Sequence, residues 1–322
     1  MGRYSVFRPG VIWTIFLVGE SVHAGGRPAQ FVPLGDLPGG GFASYAGDIS
    51  ADGSIVVGTG TNGIPSVSLP GGFEFEAFRW TQASGPQGLG TGLGVRGTAA
   101  VAVSGDGSLT AGLIFDEYPN RSVFTWTAAA GMTRLTGCNC VGFDSVEEVS
   151  YDGSVVVGRM SFANGFRAYR WTQATGATDL GVLPGGQESA AFDVTRDGSV
   201  VVGHSQTDRY FQAFRWTEQD GMTALADDAR FGSAANAISP DGSFVVGRLG
   251  NEAVRWTISD TGVSAVPLGD LPGGGFASNA AALSSDASVM AGSGTTVHGS
   301  EAFRWTEVAG MQSIQHILSR LG

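Results

Sequence analysis

The sequence predicts an all-β chain: a β-propeller of six four-stranded blades, with seven blades or an incomplete ring as alternatives, ending in a short helix. Three observations carry this reading: a glycine-rich composition, two motifs recurring about every 45 residues, and a hairpin signal within each recurrence. Glycine supplies 52 of 322 residues, about twice the usual share, and charged residues only 15%. The hydrophobic share of 42% is enough to fill a core. Glycine, serine, threonine, valine and aromatic residues together favour short strands and tight turns over helices.

The segment Val32-Pro-Leu-Gly-Asp-Leu-Pro-Gly-Gly-Gly-Phe-Ala-Ser44 recurs residue for residue at Val266–Ser278. Between the two copies a first motif repeats, typified by Ile49-Ser-Ala-Asp-Gly-Ser-Ile-Val-Val-Gly58 and centred in later copies on Asp106, Asp152, Asp197 and Asp241. Asp286-Ala287 is a degraded sixth copy. Asp-Gly between two apolar runs is a strong hairpin signal, because a two-residue type I′ turn needs positive φ at both central positions. This motif is therefore read as strand a, turn, strand b.

The second motif is Ala-Phe-Arg-Trp-Thr, at Ala77–Thr81, Ala213–Thr217 and Ala302–Thr306, with variants ending at Thr127, Thr172 and Thr257. It is read as strand c, with Phe78 and Trp80 two apart on one face. A glycine-containing loop then leads to strand d, as at Met222–Leu225, and Leu-Pro-Gly-Gly, as at Leu183–Gly186, turns the chain into the next unit. Tryptophans at 80, 126, 171, 216, 256 and 305 mark six such units. Four strands per unit is the blade signature of a propeller, whereas solenoid coils take about 20–30 residues. Uninterrupted apolar runs such as Val155–Val157 fit blades covered on both faces.

The ends are read from the same pattern. Phe31–Gly35 looks like a strand d without its own a, b and c, so it is expected to complete the sixth blade and close the ring. Residues 311–322 carry apolar side chains at 311, 314, 317, 318 and 321, which predicts a helix. Arg3 and Arg8, the apolar run Val11–Val18 and the small-residue site Val22-His-Ala24 read as a signal peptide over 1–24. The propeller then spans 25–310, with no membrane span after cleavage and a secreted, periplasmic or cell-surface location. Cys138 and Cys140 are read as a local feature of one loop, bridged or free, since two thiols without a nearby histidine make no zinc site.

Three segments resemble the HAF-type extracellular repeat proteins of bacteria: Gly-Asp-Leu-Pro-Gly-Gly, Ser-x-Asp-Gly-Ser-x-Val-Val-Gly and Ala-Phe-Arg-Trp-Thr. The resemblance covers about residues 31–310 and implies a surface or secreted location and a propeller-like fold, with no established activity. The histidine of the family's motif is replaced by Glu76, Gln212 or Glu301, and the chain stops at Gly322 where relatives often continue.

Composition narrows the function classes. A net charge of −11 argues against nucleic acid as a partner. All 18 cationic side chains are arginine, which removes lysine-dependent chemistry. His204, His298 and His316 form no metal-binding pair, no Gly-x-Ser-x-Gly elbow occurs, and no glycine-rich phosphate cradle opens a helix, so neither metal nor cofactor is expected. Asp-Gly-Ser lacks the alternating oxygen ligands of a calcium loop. Arg79, Arg170, Arg215, Arg255 and Arg304 are read as pairing or stacking between blades, with an anion-binding ring at the channel as the other possibility.

Function is sought in the loops that vary between repeats. The b-to-c loops offer Phe115, Asp116, Glu117, Tyr118, Phe162, Asn164, Asp208 and Tyr210 as candidate ligand-binding residues, aromatics beside carboxylates and amides that suit a carbohydrate or a surface protein. The expected function is a monomeric, non-catalytic binding or adhesion module, with a structural matrix component as one alternative. A polysaccharide hydrolase or lyase is the other; it would need Asp116, Glu117 and Asp208 to converge.

Overall fold

A computed structural model describes residues 32–41, 43–65, 73–91, 95–115, 121–136, 142–162, 165–225 and 231–321. The expected signal peptide, residue 31 and the Cys138–Cys140 pair lie outside the described residues. Six successive units of four antiparallel strands follow one another. Unit 1 holds β1 (Ser44–Ile49), β2 (Ile55–Pro65), β3 (Phe73–Thr81) and β4 (Gly85–Gly88). Unit 2 holds β5 (Gly97–Val103), β6 (Leu109–Phe115), β7 (Arg121–Thr127) and β8 (Gly131–Arg134). Unit 3 holds β9 (Gly142–Val149), β10 (Val155–Phe162), β11 (Gly165–Thr172) and β12 (Gly176–Asp179). Unit 4 holds β13 (Ser189–Val194), β14 (Val200–Gln206), β15 (Phe211–Thr217) and β16 (Gly221–Ala224). Unit 5 holds β17 (Ser233–Ile238), β18 (Phe244–Leu249), β19 (Glu252–Ser259) and β20 (Gly262–Gly269). Unit 6 holds β21 (Ser278–Leu283), β22 (Val289–Thr296), β23 (Gly299–Thr306) and β24 (Gly310–Ser313), followed by helix α1 (Ile314–Leu321). A single parallel bridge, Phe75 to Gly97, links the first two sheets. The six predicted blades and their internal strand order are thus observed.

The a-to-b turns are wider than the two-residue type I′ turns expected. Ser50 N–H donates to the Ile55 carbonyl and Gly53 N–H to the Ser50 carbonyl, both at 2.9 Å, so four residues intervene. Only the glycine takes positive φ, 70° at Gly53. The aspartate serves through its side chain instead: Asp52 accepts from Ser54 N–H at 2.9 Å and from the Ser50 and Ser54 hydroxyls at 2.7 Å. An Asx-type side-chain bond does the work that a second positive φ would have done.

Each blade's strand b ends its apolar run in a glycine for a steric reason. A Cβ at Gly203 would overlap the Ala190 carbonyl of strand a, and the residue opposite it in register on strand c is Phe214. In blades 1, 2 and 6 the equivalent phenylalanine ring lies across that glycine. Every strand a also carries a β-bulge, skipping Gly47, Val101, Glu147, Phe192, Asn236 or Ala281. Bulges re-aim side chains, and here they do so on the strands nearest the axis.

Five hydrophobic clusters form the core, each shared by two consecutive blades. Between blades 1 and 2, for example, Ile55, Val57 and Ala77 pack on Ala100, Val103 and Phe124. Phe124, Phe214 and Phe303 are fully buried, each contributing about 2–3 kcal/mol of transfer free energy. Phe124 and Trp126 share one face, as the two-residue spacing requires.

Two expectations about the ends are corrected. Blade 6 carries its own fourth strand: β24 pairs with β23 from Thr306–Gly310 to Phe303–Ser313. Residues 32–37 form no strand; Gly35 accepts the Ser44 hydroxyl at 3.0 Å and Leu37 is buried. A hairpin within one repeat closes a short loop, which costs less entropy than pairing across the whole chain. For the same reason the helix spans 314–321, not 311–322: Met311 faces Trp305 in strand register, as Met222 faces Trp216. Most outer strands have four residues, whereas β20 has eight and is exposed along most of its length.

Candidate functional site

The rim that carries the b-to-c loops is built from strand ends. Immediately after the strand-b glycine, three consecutive blades place Arg159, His204 and Arg248, at register positions facing Ser145, Ala190 and Ala234. His204 packs edge-on against the bulge residue Phe192, with centroids 4.8 Å apart at 80°, and against Phe211 at 4.5 Å. Burial, followed by the charges of Arg159 and Arg248, holds its pKa down to about 4. The imidazole is therefore neutral at physiological pH, and the arginines supply the positive charge.

Between blades 4 and 5 this rim opens into a cleft of about 580 Å³. Arg209, Tyr210, Phe211, Phe231, Arg248 and Asn251 line it. Tyr210, Phe211 and Phe231 are 47%, 40% and 54% exposed, large apolar surfaces held out to solvent. The walls are tied in place. Thr207 N–H donates to the Tyr210 carbonyl at 2.8 Å, and Thr207 Oγ1 accepts Tyr210 N–H at 3.3 Å. Gly250 N–H donates to the Gly232 carbonyl at 2.8 Å, and Arg248 donates to the Gly250 carbonyl.

Tyr210 is thus brought into the cleft, and Asp208 sits exposed in the same turn without lining it. Phe115 and Phe162 lie at the ends of β6 and β10, where Arg121 stacks over Phe115 at 5.8 Å and Arg167 over Phe162 at 5.9 Å. Asp116, Glu117, Tyr118 and Asn164 fall outside the described residues. Sequence reasoning passed over Phe231, Arg248, Asn251 and the role of His204. The available signal was the position after the strand-b glycine, cationic or imidazole in blades 3 to 5 but Thr59, Leu113 and Ser293 elsewhere.

A second polar cluster lies on the innermost strands. Asp48 accepts from Ile49 N–H at 2.7 Å and from Val103 N–H of the next blade at 2.8 Å. Asp193 repeats this arrangement with Val194 and Ile238 N–H, both at 2.7 Å. Burial raises Asp193 to about 7 and lifts Asp48 and Glu148 as well; Glu148 also feels Asp48 and Asp193. Asp48 and Asp193 staple adjacent blades, and among the described residues the cluster does not form a metal-binding group.

Three of the strand-c arginines have structural partners. Arg170 Nε donates to the Gly198 carbonyl of the next blade at 3.0 Å, Arg215 lies 3.5 Å from Asp220, and Arg255 stacks on Phe244 and Trp305. Of these three, Arg170 and Arg255 reach the next blade, whereas Arg215 pairs within its own.

Sheets of this kind, radiating from their innermost strands, define a β-propeller. No protein-family model matches the chain, and no curated protein matches its sequence. Among solved structures, an oligogalacturonate lyase in complex with manganese is similar with a TM-score of 0.55 and 14% identity, over 83% of this chain and 75% of that one. A prolyl endopeptidase structure gives a TM-score of 0.57 at 13% identity, over 84% of this chain and 42% of that one. TolB from Acinetobacter baumannii gives 0.49 at 14% identity over 81% of this chain, which spans 63% of that TolB. The likeness to the lyase and the endopeptidase, at 14% and 13% identity, shows the fold alone. Among the described residues no helix is long and apolar enough to cross a membrane.

Proposed function

We propose that the protein is an exported, non-catalytic binding module whose rim cleft between blades 4 and 5 holds a carbohydrate bearing anionic groups. The observation that carries this reading is the lining: three exposed aromatic rings beside Arg209, Arg248 and Asn251. Aromatic faces stack on sugar rings, and arginine forks hold carboxylates or sulfates in two parallel hydrogen bonds. Among the described residues the cleft is lined by aromatic, arginine and amide groups, a chemistry suited to holding an anionic sugar. Export rests on the charged and apolar pattern of the first 24 residues.

The test is an array of acidic and neutral oligosaccharides probed with the purified, folded protein. Acidic glycans are expected to bind. Tyr210→Ala and Arg248→Ala are each expected to weaken binding about tenfold or more, the loss of roughly 1.4 kcal/mol or above usual for a well-packed anchor. A blank array from folded protein, or binding that ignores both substitutions, removes this reading.

A further inference from the structure

Each of five blade junctions is sealed in at least two of three ways, and the junction between blade 6 and blade 1 shows none of them among the described residues. The first seal is the hydrophobic cluster shared by neighbouring blades. The second is a clasp at the start of strand c. Ala77, Ala168, Ala213 and Ala253 each donate their N–H to a hydroxyl on the next blade's first strand, respectively Thr98 at 3.0 Å and Ser189, Ser233 and Ser278 at 2.9 Å. The third joins the a-to-b turns. Ala51 N–H donates to the Gly105 carbonyl at 3.0 Å, Asp106 to Tyr151 at 2.9 Å, Tyr151 to Arg196 and Arg196 to Pro240, both at 3.2 Å.

Both halves of a sixth junction are nevertheless present. Blade 1 opens with Val32–Ser44, identical in sequence to Val266–Ser278, which seats between blades 5 and 6. In that second copy Ser278 Oγ donates to the Gly269 carbonyl at 2.8 Å while accepting the Ala253 N–H. In the first copy Ser44 Oγ makes the equivalent bond to the Gly35 carbonyl at 3.0 Å, and among the described residues no strand-c N–H is bonded to it. Blade 6 presents the matching face. Ala282, Ala291 and Ala302 correspond to Ala237, Val246 and Ala253, which are 8%, 0% and 0% exposed against blade 6. In blade 6 the three equivalents are exposed or half-buried, as are Ser44, Ala46 and Ile49 on blade 1.

We propose that the flank formed by residues 32–41 and β1 docks on this face of blade 6 within the same chain, with Ala302 N–H donated to Ser44 Oγ. The occupant is the chain's own flank because its sequence is the one that fills the equivalent junction between blades 5 and 6, where Leu268 and Leu271 are buried. A tethered partner acts at millimolar effective concentration, far above that of a second copy.

The test is a pair of cysteines, Ser44→Cys with Ala302→Cys, in the full chain with Cys138 and Cys140 changed to serine. Ala253→Cys with Ser278→Cys in the same background is the control at a sealed junction. After mild oxidation, monomer-mass protein with a 44–302 linkage, in a yield comparable to the control, is the expected result. Disulfide-linked dimers assign the face to a second copy, and no linkage alongside a linked control leaves the junction open; either overturns the proposal. Should the cysteine variants fail to fold, Ser44→Ala is expected to lower Tm about as much as Ser278→Ala, and an unchanged Tm also overturns it.

Discussion

Ala287 is the one described non-glycine residue with positive φ, 53°, at the turn position that glycine holds in the other five blades. A Cβ in the left-handed region costs about 1–2 kcal/mol. Ala287→Gly is therefore expected to stabilise the protein by about 1 kcal/mol, raising Tm by roughly 2 °C in a domain of this size, measured by thermal denaturation. The substitution was legible in the sequence as a degraded motif copy, but its strain was not. The two-residue turn inferred from Asp-Gly assigns positive φ to the aspartate as well, whereas side-chain bonding by Asp286 to Ser284 and Ser288 leaves the strain on residue 287 alone.

At the level of the element, the a-to-b hairpins and the c strands followed from short-range chemistry, which is why six blades were legible from motif spacing. The clasp was less so. Ser189 recurs at the same place as Thr98, Ser233 and Ser278, yet no local pattern distinguishes a hydroxyl that bonds across blades from one facing solvent. Ser189→Ala leaves the buried Ala168 N–H and the Gly181 carbonyl, 2.6 Å from the hydroxyl, without that partner. Stability is expected to fall by about 1–3 kcal/mol, read from chemical denaturation. The β24 strand was missed because its apolar residues also satisfy helical spacing, and only pairing with β23 decides between the two. The rim cleft was half legible: Tyr210 stood out as an aromatic in a variable loop, but Phe231 and Arg248 reach it from a different repeat.

For the whole molecule, the carboxylates near the axis set the response to pH. Asp193, near 7 in the folded state, together with the raised Asp48 and Glu148, binds protons more tightly when folded. Stability from these groups is full below the ordinary carboxylate range and is lost as pH rises towards and through 7. His204, lowered to about 4, acts in the opposite sense between pH 4 and its ordinary value of 6.5, offsetting about one such group. The turn aspartates, with Asp52, Asp241 and Asp286 lowered to about 2, lose their contribution as pH falls from 4 to 2. Tm is accordingly expected to peak between pH 4 and 6 and to decline towards pH 8, with the alkaline decline reduced in Asp193→Asn. A Tm that climbs steadily to pH 8 contradicts the axial arrangement.

The length of β20 has a consequence for self-association. Four-residue outer strands offer an incoming chain too few unpaired amides to template a ladder, so those blade edges resist aggregation by brevity. Seven register positions tie β20 to β19, leaving a long free edge flanked by the exposed Val263 and Val266. Pro267 removes one N–H from this strand. Fibrillar growth from partially unfolded protein would start at residues 262–266, and a second proline or a charge there is the natural guard against it.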